Sequence, residues 1–160
     1  MSVYDLKPGF QRLLRPLCRT MAGRGVTANQ VTVLALVLSA LAGALIVSFR
    51  GAKWPLLVVP VVLFVRMALN AIDGMLAREH NMKTPLGAVL NELGDVISDT
   101  AIYLPYAVIP GIRAELVALL VVLAVMSEMA GIVAIQIGAA RRYDGPMGKS
   151  DRAFVMGLLA

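Results

Sequence analysis

One cysteine, one histidine and charge at only 16% of positions exclude most architectures open to a chain of 160 residues. A disulfide framework needs paired cysteines, and Cys18 stands alone beside basic residues, where it reads as a bystander. His80 sits in a polar stretch without the partners a metal site requires, so it reads as a solvated loop residue. Charge is too sparse to clothe a water-facing surface: 59% of residues are hydrophobic and the mean hydropathy is +0.78, well beyond ordinary soluble domains. The net charge of +5 does not indicate a nucleic-acid partner, because the basic residues sit at the ends of apolar runs rather than on one continuous face. A cleavable signal peptide is also missing, since the first 25 residues interleave Asp5, Lys7, Arg12, Arg15, Arg19 and Arg24 with apolar positions. The first span must itself direct insertion.

What the chain has in abundance is long apolar runs. About 20 residues at 1.5 Å rise cross a hydrocarbon core of roughly 30 Å, and several runs reach that length. Residues 8–22 come first, with Phe10, Leu13, Leu14, Leu17 and Met21 at helical spacing against Arg12, Arg15 and Arg19. This is the pattern of an interfacial amphipathic helix, which Pro16 is expected to kink. Thr27 to Gln30 reads as a capping box opening a first span over Val31–Phe49. A second span runs from Pro55 to about Ala77, interrupted by Arg66, Asn70 and Asp73. Thr84 as N-cap and Pro85 at the first helical position open a third, to about Val108, which carries Asn91, Glu92, Asp95 and Asp99. A fourth, roughly Ala114–Ala140, contains Glu128, and Ala153–Ala160 start another apolar run.

The expectation is an all-α, polytopic transmembrane bundle of about four spans plus the start of a fifth, forming one membrane-embedded domain over residues 1–160 and truncated at its C-terminus. The positive-inside rule sets its orientation. An inside N-terminus collects five Lys and Arg there, two at Arg78 and Lys83, and four at Arg141, Arg142, Lys149 and Arg152, against Arg50, Lys53 and Arg113 outside. Small residues such as Ser39, Ala42, Gly43, Gly131 and Gly138 read as helix-packing positions.

The polar residues inside the spans carry the chemistry. A charge in hydrocarbon costs several kcal/mol, on the order of 3, so such groups face a cavity, pair or bind an ion. Arg66, Asn70 and Asp73 fall at i, i+4 and i+7, and Asn91 and Asp95 at i and i+4, so each set shares one helix face. Oxygen ligands of this kind suit Mg2+ or Mn2+ bridging phosphate oxygens. Gly74 follows Asp73, and Gly87 lies one turn before Asn91 in the first turn of its helix. There a missing side chain lets a nucleotide approach and free N–H groups favour an anion. Arg66 fits either a phosphate or a neutralising role toward Asp73 or Asp95. Glu128 reads as a helix-to-helix hydrogen-bonding residue.

The stretch Asn70-Ala-Ile-Asp73-Gly74-Met-Leu-Ala77-Arg78, eight residues, Gly87, three residues, Asn91, three residues, Asp95 resembles the signature of the CDP-alcohol phosphotransferases, D-x2-D-G-x2-A-R-x8-G-x3-D-x3-D. The resemblance implies six membrane helices, usually a homodimer, with two divalent metals held at positions 70, 73, 91 and 95. It implies a CDP-linked lipid or alcohol as donor, a polar alcohol as acceptor and CMP as leaving group. It places Asp95 as general base and Gly74, Ala77, Arg78 and Gly87 toward the CDP group. The short depth of Asp73 and Asp95 from loops that count as inside puts the expected site on the cytoplasmic side of a bacterial-type inner membrane.

Two positions depart from that pattern. Asn70 and Asn91 stand where the family has aspartate, and an amide oxygen can ligate a metal without contributing charge. Glu92 and Asp99, on one stripe with Asp95, are further candidates for the missing charge. Arg141, Arg142 and Lys149 suit an anionic acceptor or a lipid headgroup as well as the positive-inside rule. Two other functions fit part of the pattern: a transporter or proton relay through Asp73, Asp95, Asp99 and Glu128, and a family member that binds CDP-lipid without turnover.

Overall fold

The computed structural model describes residues 7–138 and 155–157. Its elements are α1 (Lys7–Gly23), α2 (Ala28–Ser48), α3 (Trp54–Glu79), α4 (Pro85–Tyr103), a 3-10 segment (Leu104–Val108) and α5 (Ala114–Gln136), with no strand among the described residues. The all-α expectation holds.

Local chemistry sets the boundaries. At the start of α2 the Gln30 N–H donates to Thr27 Oγ1 at 3.3 Å and the Thr27 N–H to Gln30 Oε1 at 2.9 Å, the expected capping box. Thr84 caps α4 by accepting from the Gly87 N–H at 2.9 Å, with Pro85 next in line. Beyond α3 the chain turns at Asn81, whose φ of 56° is one that Asn tolerates. Gly138, expected to pack helices, instead follows α5 with φ 78° and acts as a terminator. The helix α1 continues through Pro16 from Lys7 to Gly23.

The third span does not run unbroken to Val108. Pro105 has no N–H for the Ala101 carbonyl and its ring crowds that turn, so α4 stops at Tyr103 and the backbone tightens into the 3-10 segment. The Ala101 carbonyl oxygen points at Gly43 of α2, so close that a Cβ there would overlap it. The α2–α4 crossing therefore depends on glycine at position 43.

Among the described residues, three helices, α2, α3 and α5, are long and apolar enough to cross a membrane, with hydropathies of 2.5, 2.1 and 2.5. Glu92, Asp95 and Asp99 set α4 apart. Its Leu86, Val89, Leu93 and Ile97 form an exposed apolar stripe at helical spacing, while Gly94, Ser98 and Asp99 are buried on the other side. It can thus meet lipid on one face and the polar interior on the other.

The bundle is organised around α2. Both α3 and α4 pack closely on it and hardly on each other. An apolar cluster closes each end. Toward the start of α2, Cys18, Ala28, Val31, Ile72, Met75 and Leu76 pack together. Toward its end, the other core joins Ile46 to Val59, Leu63, Ile102, Tyr103, Val117 and Met156. Helices in lipid gain little from apolar contact alone, so the polar layer between these clusters matters for their association.

The amphipathic helix α1 lies on α3. Cys18, Leu14 and Met21 turn inward, while Leu13 and Leu17 stay exposed, as an interfacial helix requires. Arg15 makes a two-pronged ion pair with Glu79, at 3.1 and 2.9 Å, and the Phe10 and Phe64 rings meet edge to face at 5.9 Å.

Candidate active site

Two turns of α3, two of α4 and the first turns of α2 supply the polar layer. Asp73 is buried on α3, and its Oδ2 lies 2.9 Å from the Thr32 hydroxyl of α2, which is also 3.1 Å from the Ala28 carbonyl. One turn deeper, Asn70 donates its side-chain amide to Asp95 Oδ1 of α4 at 3.1 Å. Deeper still is Arg66, buried to 3% exposure. Its Nη1 donates to Asp99 Oδ1 at 2.5 Å and its Nη2 to the Asp95 backbone carbonyl at 3.2 Å, with Asp95 Oδ1 at 3.8 Å. At 1.5 Å per residue from the α3–α4 loop, Asp73 lies about 9 Å in, Asp95 about 15 Å, and Arg66 and Asp99 about 20 Å. The matched depths explain why long side chains can bridge helices whose backbones stay apart.

The structure thus brings Arg66, Asn70 and Asp95 together, with Asp73 one turn away beside α2. It commits Asp99 to Arg66, so the candidate for supplementary negative charge is a partner of the buried arginine instead. Among the described residues, no three or more His, Cys, Asp or Glu side chains gather in a group that could hold a metal ion. The residues tested for a metal are Asp73 and Asp95 with the amide oxygens of Asn70 and Asn91. Their two negative charges match one divalent cation better than two. Asn91 and Glu92 are half-buried.

The glycines behave differently from the sequence expectation. The space over Gly74 is taken by the Arg78 guanidinium, whose Nη2 would lie 2.9 Å from an added Cβ. Over Gly87 it is taken by the Asn29 side-chain oxygen, at 2.6 Å from such a Cβ. The Gly87 N–H, expected to be free for an anion, is spent on Thr84. Ala77 borders the apolar cluster under α1. Arg78 is an exposed, flexible end that can swing aside, so room above Gly74 can be opened without moving backbone.

Asn29 and Thr32 are the site residues that sequence reasoning missed. The signal was present: Asn29 lies within the capping box and Thr32 one turn after Ala28, both on the first turns of a membrane helix, where polar side chains need a partner. Glu128 is buried on α5 and lines a recess with Asp99, Thr100 and Tyr103. Arg141, Arg142 and Lys149 lie outside the described residues.

A polytopic α-helical membrane protein in which buried and part-buried carboxylate and amide side chains meet between two of its helices is the class that fold and site define. Residues 25–159 match the CDP-alcohol phosphatidyltransferase family, and the chain belongs to it. It is accordingly a CDP-alcohol phosphotransferase, a membrane enzyme of phospholipid biosynthesis. Among similar proteins is inner membrane protein YnbA of Escherichia coli, 51% identical over 99% of this chain and 78% of that protein. Phosphatidylinositol phosphate synthase of Mycobacterium marinum is 34% identical over 61% of this chain and 40% of its own length. Archaetidylinositol phosphate synthase of Pyrococcus horikoshii is 26% identical over 86% and 74% respectively. No solved structure matches.

Proposed function

We propose that this enzyme moves a phosphatidyl group from CDP-diacylglycerol to a polar alcohol in a divalent-metal-dependent reaction that releases CMP. The observation that supports this most directly is the polar layer that carries Asp73 and Asp95 on separate helices, with Thr32 against the first and Asn70 against the second. The acceptor hydroxyl attacks the phosphorus that bears the diacylglycerol. A new P–O bond forms, the bond to the CMP phosphate oxygen breaks, and CMP leaves with the electron pair. Asp95 takes the hydroxyl proton as general base. Asp73 and Asp95, with Asn70 and Asn91, would hold an Mg2+ or Mn2+ ion, which would offset charge on the phosphate oxygens.

Gly74, Ala77, Arg78 and Gly87 border the CDP side, with Asn29 and Thr32 opposite. Arg141, Arg142 and Lys149 are assigned to the acceptor or a lipid headgroup. The names of two relatives put an inositol phosphate first among acceptors to be tried. The protein resides in the bacterial inner membrane with its N-terminus and active site facing the cytoplasm, and works as a homodimer. A proton-relay function has less support, because Asp99, one of its four stations, is engaged by Arg66.

The test is incubation with CDP-diacylglycerol and a panel of polar alcohols, with Mn2+ or with EDTA. Metal-dependent, acceptor-dependent CMP release supports the proposal. Retained donor without any release under all conditions would leave a binding protein.

A further inference from the structure

We infer that Arg66 is a positioning residue for Asp95 and that Asp99 is its anchor, an inference that rests on the reading of Asp95 as general base. The geometry has three parts. Arg66 Nη1 meets Asp99 Oδ1 at 2.5 Å, which fixes the plane of the guanidinium on α4. Nη2 then reaches back one helical turn to the Asp95 backbone carbonyl at 3.2 Å and lies 3.8 Å from the Asp95 carboxylate. Asn70, one turn along α3 from Arg66, donates to that same carboxylate oxygen at 3.1 Å.

While α2 holds both α3 and α4, these side chains are the links between the two helices that orient Asp95. A planar fork can serve Asp99 and Asp95 at once, which a lysine ammonium on a flexible stem cannot do in the same geometry. With both Nη groups directed at α4, a phosphate-binding role for Arg66 would require giving up one of these contacts. The Arg66–Asp99 pair is a buried ion pair, so removing one partner alone would strand a charge, whereas removing both need not harm the fold.

Four variants of the full chain, reconstituted in phospholipid nanodiscs, separate the roles. Arg66→Lys keeps the charge opposite Asp99 but loses the fork. CMP release with CDP-diacylglycerol should fall about tenfold or more in kcat, with donor KM within about twofold of wild type. In the double variant Arg66→Met/Asp99→Leu, thermal stability should recover relative to Asp99→Leu alone, while kcat stays low. Asp95→Asn, measured in parallel, tests the underlying reading: if it turns over like wild type, the general-base assignment fails whatever Arg66 does. If Asp95→Asn is inactive but Arg66→Lys raises donor KM with kcat unchanged, Arg66 holds substrate and the positioning role is overturned. Recovery of both stability and kcat in the double variant would also overturn it, since the pair would then be a structural clamp only.

Discussion

Asn70 donates its side-chain amide to Asp95 Oδ1 across 3.1 Å, a bond that the aspartate of the family pattern cannot make. A carboxylate at position 70 would face another carboxylate, and the repulsion would be relieved by a cation between them or by protonation of one. Asn70→Asp is therefore expected to lower the melting temperature in EDTA and to raise the increment gained on adding Mn2+. Thermal scans of both proteins with and without the metal check this.

The supply of negative charge has a separate test. With Asp99 held by Arg66, Glu92 is the remaining carboxylate of the stripe that could assist a metal at Asp95. Glu92→Gln should shift the Mn2+ titration of CMP release to higher concentration by several-fold, about 1 kcal/mol of binding, and Asn91→Asp should recover part of the shift. A superimposable titration for Glu92→Gln would confine the ligands to Asp73, Asp95 and the two amides.

Much of this was legible in the sequence, for identifiable reasons. The capping box at Thr27, the N-cap at Thr84, the helix periods and the intramembrane polar residues are local features, and α2, α3 and the start of α4 follow them within a few residues. What pairs with what was not legible. Arg66 chose Asp99 because the antiparallel helices place both about 20 Å from their shared loop, a match that needs α4's tilt and rotation on α2. The filling of the Gly87 space by Asn29 is likewise tertiary, as is the break at Pro105, which is local in cause but is tolerated because Gly43 makes room for the Ala101 carbonyl.

The Gly43 contact leads to a comparison within one interface. Gly43→Ala drives a Cβ into the Ala101 backbone, which cannot yield, and should cost about 1–3 kcal/mol as the helices separate. At Gly94 an added Cβ would meet Thr32 Cγ2 at an ordinary 3.5 Å, so Gly94→Ala should be tolerated. Unfolding in SDS–detergent mixtures would rank the two, and equal effects would contradict the close crossing.

Cys18 is fully buried beneath α1, and burial pushes its thiol above the ordinary 9.0, helped by Glu79 and opposed by Arg15. The thiol should resist maleimide at neutral pH in the folded protein and react once SDS releases α1. A group whose folded pKa is raised contributes its stability below the unfolded value and loses it above. The Cys18 contribution is thus complete at neutral pH and declines as pH rises past about 9. Rapid labelling of the native protein at pH 7 would contradict the docking of α1 on α3.

Asp95 is the residue on which the proposed reaction turns, and the most direct measurement is CMP release from CDP-diacylglycerol by Asp95→Asn beside wild type, in nanodiscs with Mn2+ and the best acceptor of the panel. The substitution keeps side-chain volume and removes both a proton acceptor and a charged ligand. Turnover should drop by about 100-fold or more with the melting temperature little changed. Release at a near wild-type rate from the folded variant would contradict the mechanism.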